Sequence, residues 1–223
     1  MKHKLFILTL MVFNSIIIFC KNPDESHLSF AANAGLNYYF VEPKGINFIS
    51  NSSWSFPSIS VEYTINHLWG VGLNSTFSKY NRSSGAGNTT DFSFFASLNV
   101  LNFISPYRTG ISEKTGIYLN LGTGIASYYS KLLSPAYTNI ENTGTSMVNT
   151  LGINFEQNIS KSFAFMVEGQ IRQYTKDDIG GLPTEKRWGS MGLIGLAGIR
   201  YKHISKKDNV RNKNYSNICI CNY

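Results

Sequence analysis

The chain has 223 residues, with 20 Lys and Arg against 13 Asp and Glu for a formal charge of +7. Only 15% of residues are charged and 14% are aromatic, and the length suits a single β-barrel domain. A bundle of membrane helices is excluded by the sparse long apolar runs, and a nucleic-acid surface by the lack of a basic face interleaved with aromatic platforms.

The first segment, MKHKLFILTLMVFNSIIIFC, has the form of a signal peptide spanning residues 1–20. Lys2 and Lys4 make the basic start and Leu5 to Phe19 the apolar run, which Asn14 and Ser15 interrupt. Cys20 closes the run, but Phe19 is the wrong size for the residue before a lipidated cysteine. Residues 21–27 form a short linker.

From Leu28 the chain alternates. In LSFAANAGLNYYF, Leu28, Phe30, Ala32, Ala34, Leu36, Tyr38 and Phe40 share one face, opposite Ser29, Ala31, Asn33, Gly35, Asn37 and Tyr39. A period of two is the mark of a β-strand with one apolar face. The same parity returns in SISVEYTI, with Ile59, Val61, Tyr63 and Ile65 opposite Glu62, and in WGVGLNSTFSKY, with Trp69, Val71, Leu73 and Phe77 apolar. NRSSGAGNTTD is read as a polar loop before FSFFASLNV, where Phe92, Phe94, Ala96 and Leu98 are apolar and Phe95 breaks the polar set.

GIYLNLGTGIASYY and MVNTLGINFEQ follow, the second with Glu156 on its polar face. FAFMVEGQIRQY then sets Phe163, Phe165, Val167 and Ile171 against Glu168, Gln170 and Arg172. WGSMGLIGLAGIRYKHI closes the series, with Arg200 and Lys202 on the polar side.

Eight candidate strands result, most of them long enough to cross a hydrocarbon layer at a tilt, which takes roughly 9–11 residues. The connectors at Glu42–Pro57, Asn81–Asp91, Lys131–Thr145 and Thr175–Arg187 are expected to be long, and those on the opposite side shorter. Aromatics fall near the strand ends in two groups. Tyr38, Phe40, Trp54, Phe77, Tyr80, Phe92, Tyr129, Tyr174 and Trp188 lie towards the long loops; Phe30, Tyr63, Trp69, Tyr118, Phe155, Phe163 and Tyr201 lie towards the short turns. Both regularities belong to outer-membrane barrels. Glycines at Gly35, Gly70, Gly72, Gly122, Gly124, Gly152 and Gly192 fall on the polar faces, where a narrow lumen has little room.

With the strands placed, the chain resembles the small bacterial outer-membrane β-barrel family, of the eight-stranded porin-like and opacity-protein type. SPYRTGISEKTGIYLNLGTGIASYY, GINFEQNISKSFAFMVEGQIRQY and GLIGLAGIRYKH carry the likeness. The resemblance implies an all-β, closed antiparallel eight-stranded up-and-down transmembrane barrel over residues 28–204. It implies the bacterial outer membrane, its lipids and lipopolysaccharide as surroundings, and the barrel-assembly machinery as a partner. The chain departs from the family by running on past Tyr201 into a basic tail, residues 205–223, where Lys206, Lys207, Arg211 and Lys213 outnumber Asp208. Cys219 and Cys221 in that tail lack the further ligands of a zinc site.

The candidate chemistry is an inward charge set of Glu62, Glu156, Glu168, Arg172 and Arg200. Charges at membrane depth must be paired or hydrated, so the set is expected to be a structural network plugging the lumen, with a gate or ion path as the alternative. Catalytic, cofactor and metal sites are expected to be absent. His27, His67 and His203 cluster at one rim away from any nucleophile motif, and Asp177 and Asp178 are too few for a calcium loop. The expected role is structural, surface-interacting or adhesion-like, with an unidentified surface ligand. The alternatives are a small passive channel, a secreted lipocalin-like binding barrel and an outer-leaflet lipid-modifying enzyme.

Overall fold

Alternating segments with short breaks favour strands that pair with their sequence neighbours. The structure, a computed structural model, describes residues 26–40, 53–82, 85–105, 114–132, 140–176 and 191–203. The strands are β1 (His27–Phe40), β2 (Ser53–Thr64), β3 (Trp69–Arg82), β4 (Gly85–Asn99), β5 (Thr115–Leu132), β6 (Ile140–Asn158), β7 (Phe163–Tyr174) and β8 (Met191–His203). Each is antiparallel to the next, and β1 also pairs with β8, closing an eight-stranded barrel. A single helical turn, α1 (Val100–Ile104), follows β4, with the Asn99 carboxamide accepting from the Asn102 backbone N–H as its cap.

The parity read from the sequence sorts the two faces. Leu36, Phe92, Ile125 and Ile153 are 70, 57, 63 and 58% exposed, whereas the alternate positions are closed off inside. The apolar face is the outer one. A soluble monomer rarely exposes an apolar patch beyond a few hundred Å², and this one runs round the whole barrel. On β7 it extends from Phe163 to Ile171 and on β8 from Leu193 to Tyr201, the span a tilted strand needs to cross hydrocarbon. Among the described residues no helix is long and apolar enough to cross a membrane.

The expectations for three of the loops, and for some of the aromatics, are corrected. The loop read at Asn81–Asp91 is strand: β3 continues to Arg82, β4 starts at Gly85, and the two are paired from Arg82↔Gly85 inwards. Likewise β5 reaches Leu132 and β6 starts at Ile140, and Ser53–Pro57 belongs to β2. Beyond the apolar band the outward positions meet water instead of lipid, so apolar alternation lapses while the hydrogen-bonded ladder continues. Within β2 the register slips between Ser55 and Ser58, so Phe56 and Pro57 both face outwards, the arrangement of a bulge.

The remaining correction concerns the aromatic rings. Phe30, Trp54, Tyr63, Phe92, Phe155, Phe163 and Tyr201 do face outwards, and Phe163 and Tyr201 lie 5.3 Å apart between centroids. Tyr80 and Tyr174 instead point inwards and pack with Tyr128, Ala126 and Val148 as a buried cluster. Tyr118 also faces the lumen, its ring under the Arg200 guanidinium. Residues 1–25 and 204–223, Trp188, Asp177 and Asp178 lie outside the described residues.

Candidate functional site

The interior of an eight-stranded barrel is just wide enough for side chains to fill it, so its chemistry is that of the inward positions. All five charged residues singled out from the sequence are there: Glu62, Glu156, Glu168, Arg172 and Arg200 are each at most 5% exposed. Asp91 and Lys202 join them, and both are placed by the same parity.

The groups fall into two layers. Near the turn end, Arg200 on β8 puts one guanidinium nitrogen 2.9 Å from Glu62 on β2 and 3.2 Å from Glu156 on β6. Lys202, two residues along β8, holds the other oxygen of Glu156 and donates to Asn158 at 2.7 Å. Ser97 donates to Glu62, and the Tyr118 ring lies 5.8 Å from the Arg200 guanidinium carbon, a cation–π distance. Two carboxylates that would repel are thus bridged by one arginine, and a lysine adds the second positive charge.

Nearer the loop end, Arg172 on β7 pairs with Asp91 on β4. The guanidinium also donates to Gln170 at 2.8 Å and to Thr76 at 3.1 Å, and Tyr174 donates to Asp91 at 3.2 Å. Thr76 in turn donates to Asn74 at 2.8 Å. The buried Tyr80, Tyr128 and Tyr174 cluster lies beyond this layer towards the loops.

Glu168 and Arg172 share a strand and a face, yet they pair with other residues. Asn120 on β5 donates to Glu168 at 3.0 Å, while Arg172 goes to Asp91. A strand rises about 3.3 Å per residue, so two groups four residues apart are too distant for direct pairing unless their side chains bend towards each other.

Between the layers lies a cavity of about 20 Å³ bounded by Asn74, Phe95, Asn120, Glu168, Gln170 and Arg200 among others. That is enough for about one water. Arg200 Nε and Asn120 Oδ1 have no hydrogen-bond partner among the described residues, so a donor and an acceptor are both available to water there. Phe95 fills the lumen beside it. Its register neighbours are Gly72 on β3 and Gly122 on β5, and a Cβ on Gly72 would stand 2.6 Å from the Phe95 ring and closer still to the Val61 carbonyl oxygen.

Among the described residues no group of three or more His, Cys, Asp or Glu is arranged to hold a metal ion. His27, His67 and His203 lie at the turn end: at the start of β1, in the β2–β3 turn and at the end of β8.

Fold and lumen together define a class: an eight-stranded up-and-down barrel, apolar outside and charged inside, with the polarity of a membrane-spanning protein. No family model matches the sequence, and no curated protein matches it. Among solved structures the chain is similar to a major outer membrane protein of Thermus thermophilus, at 12% identity and a TM-score of 0.48 over 79% of this chain and 99% of that one. It is similar to Neisserial surface protein A, at 14% identity and a TM-score of 0.47 over 80% and 97%. The attachment invasion locus protein of Yersinia pestis matches at 14% identity and a TM-score of 0.44, again over 80% and 97%.

Proposed function

We propose that the protein is an integral barrel of a bacterial outer membrane, exported by its N-terminal signal, that serves at the cell surface with its lumen plugged. The observation that carries this reading is the inverted polarity, an apolar outer band around a lumen in which Arg172 and Arg200 are each tied to carboxylates on distant strands. Ion pairs braced across a narrow bore hold strands together and leave no continuous aqueous path. What remains for function is the rim. There β3 to β6 continue past the band with polar outward residues such as Lys79, Ser127, Thr143 and Thr145, a surface for contact with a ligand, a host or another envelope component.

The cavity beside Glu168 favours a second reading, a small passive channel, because it leaves room for about one water in the middle of the lumen. Two measurements separate the possibilities. On an unheated gel the folded barrel migrates apart from the boiled chain, and a single unshifted band sinks the membrane-barrel reading. In planar bilayers the purified protein carries no current; steady single-channel steps would overturn the plug and favour the channel. A mature protein found in the soluble envelope fraction would instead favour the lipocalin-like alternative, and altered lipid A in a deletion strain the lipid-modifying one.

A further inference from the structure

The turn end of the barrel carries large apolar side chains that lie open. Phe103 and Ile104 in α1 and Ile159 in the β6–β7 turn are 68, 73 and 70% exposed. The Ile159 N–H donates to the Phe163 carbonyl at 2.9 Å, and the Phe163 ring packs with Tyr201 on the outer face. Ile159 is in phase with Ile153 and Phe155 as well, so the apolar outer face runs on into this turn.

The rim holds α1 from both sides. The Asn102 amide donates to the His67 carbonyl at 2.6 Å, the Asn99 N–H donates to the Leu68 carbonyl at 2.7 Å, and α1 packs against β5. Its reach is short. Leu98 ends the apolar outer face of β4, and α1 begins two residues later at Val100. Five helical residues rise at most about 7.5 Å, and the headgroup layer is roughly 5–7 Å deep on each side of the hydrocarbon, so Phe103 and Ile104 stay at headgroup depth. The charge at this end is basic. Lys114 and Lys161 are exposed, whereas Glu62 and Glu156, the described acids of the turn-end layer, are buried and paired.

We propose that α1 and the β6–β7 turn form an anchor that seats in the headgroup layer of the leaflet on the turn side and selects anionic phospholipid, which rests on the membrane reading above. Phe103, Ile104 and Ile159 enter the border of the hydrocarbon, and Lys114 and Lys161 meet lipid phosphates. Apolar and basic side chains together suit that border, the first by burial and the second by attraction to anionic lipid. A soluble protein is the competing occupant of such a patch. Continuity favours lipid, because Ile159 adjoins Phe163 and Tyr201, which already face it.

The test uses the full-length protein refolded into phosphatidylcholine vesicles, with Phe103→Trp and Ile159→Trp as two separate reporters and the gel shift on heating to confirm each barrel. The emission of the introduced indole is the difference from wild type. Lipids brominated near the ester end are expected to quench it more than lipids brominated near the methyl end, and aqueous iodide to leave it largely unquenched. At equal content, brominated phosphatidylglycerol is expected to quench about twofold more than brominated phosphatidylcholine, and Lys114→Gln with Lys161→Gln to remove that excess. Iodide quenching without bromolipid quenching overturns the proposal. So does an indole shielded from both, which assigns the patch to a protein partner or a second copy. Equal quenching by the two brominated lipids overturns the selection of anionic phospholipid. In each of these cases the membrane reading stands if bromolipids quench the wild-type emission, to which the outward Trp54 contributes; wild-type emission untouched by bromolipids sinks that reading instead.

Discussion

Arg172 on β7 and Asp91 on β4 are joined across the lumen, with β5 and β6 between them on the near side of the barrel. Both are almost fully buried, so neither has water to fall back on. Removing one partner strands the other. Arg172→Met is expected to cost about 3–5 kcal/mol, and Arg172→Met combined with Asp91→Leu to recover most of it. The midpoint of the gel-mobility shift on heating reports both. Equal losses in the single and double variants would show that the pair is not the source of stability.

Arg200 serves two carboxylates and each carboxylate has a further partner, which ranks the variants. Arg200→Met leaves Glu62 and Glu156 facing each other with Lys202 as the remaining cation of that layer; Glu62→Gln removes a charge and keeps a polar group on Ser97. The arginine variant is therefore expected to lower the heating midpoint well below that of Glu62→Gln. The combination Arg200→Met/Glu62→Gln should be milder than Arg200→Met alone, since one stranded charge is gone. The reverse order would contradict the bridging role.

Gly72 has room for nothing larger. A Cβ there meets both the Phe95 ring and the Val61 carbonyl oxygen of the adjoining strand. Gly72→Ala is expected to destabilise by about 1–3 kcal/mol, the usual range for overpacking. Phe95→Leu in the same chain should restore part of that loss only, because the backbone oxygen stays. Denaturant unfolding in detergent measures both. Full rescue would mean that the ring alone sets the limit.

The Lys131–Glu141 pair, at 2.9 Å, lies on the water-exposed extension of β5 and β6. Its hydrogen bond holds the Glu141 carboxyl below the usual range and raises Lys131, with their mutual attraction adding to both. Glu141 therefore favours the folded state above the ordinary carboxylate pKa, and this is lost as pH falls through the lowered value. Lys131 favours it below the ordinary lysine pKa, and this is lost as pH rises through the raised one. Solvent screens exposed pairs strongly. Lys131→Met is accordingly expected to leave the heating midpoint unchanged at neutral pH, and a clear drop would show that this extension is cooperative with the membrane-spanning part.

The facing of the strands was legible because lipid makes a demand at every second position. Leu36 or Ile153 has no alternative to being apolar if it faces hydrocarbon, and Glu62 or Arg172 none to facing in. Partner choice was not legible. Which residues share a height depends on how the tilted strands stagger round the barrel, so Glu168 and Arg172, close in sequence, pair with residues on other strands.

Strand ends were misread where water replaces lipid. Gly85 to Thr90 carry no apolar alternation, although their backbone pairs fully with β3. Parity did hold the missing signal for several side chains. Tyr80 is in phase with Thr76 and Ser78, Tyr118 with Asn120, and Asp91 with Ser93 and Phe95. Aromatics near a strand end suggested a headgroup belt, and that expectation overrode the phase.

Every pairing in the barrel but one joins strands adjacent in the chain; the exception joins Leu28 to His203. All hairpins can therefore zip locally, while the ring stays open until β8 reaches β1. Closing that long loop comes last and slowest. Until then β1 presents a free row of amides and carbonyls, a ready template for a foreign strand. The molecule's vulnerable moment is thus fixed by its topology, and any escort that shields the first edge until the last arrives acts at the same seam.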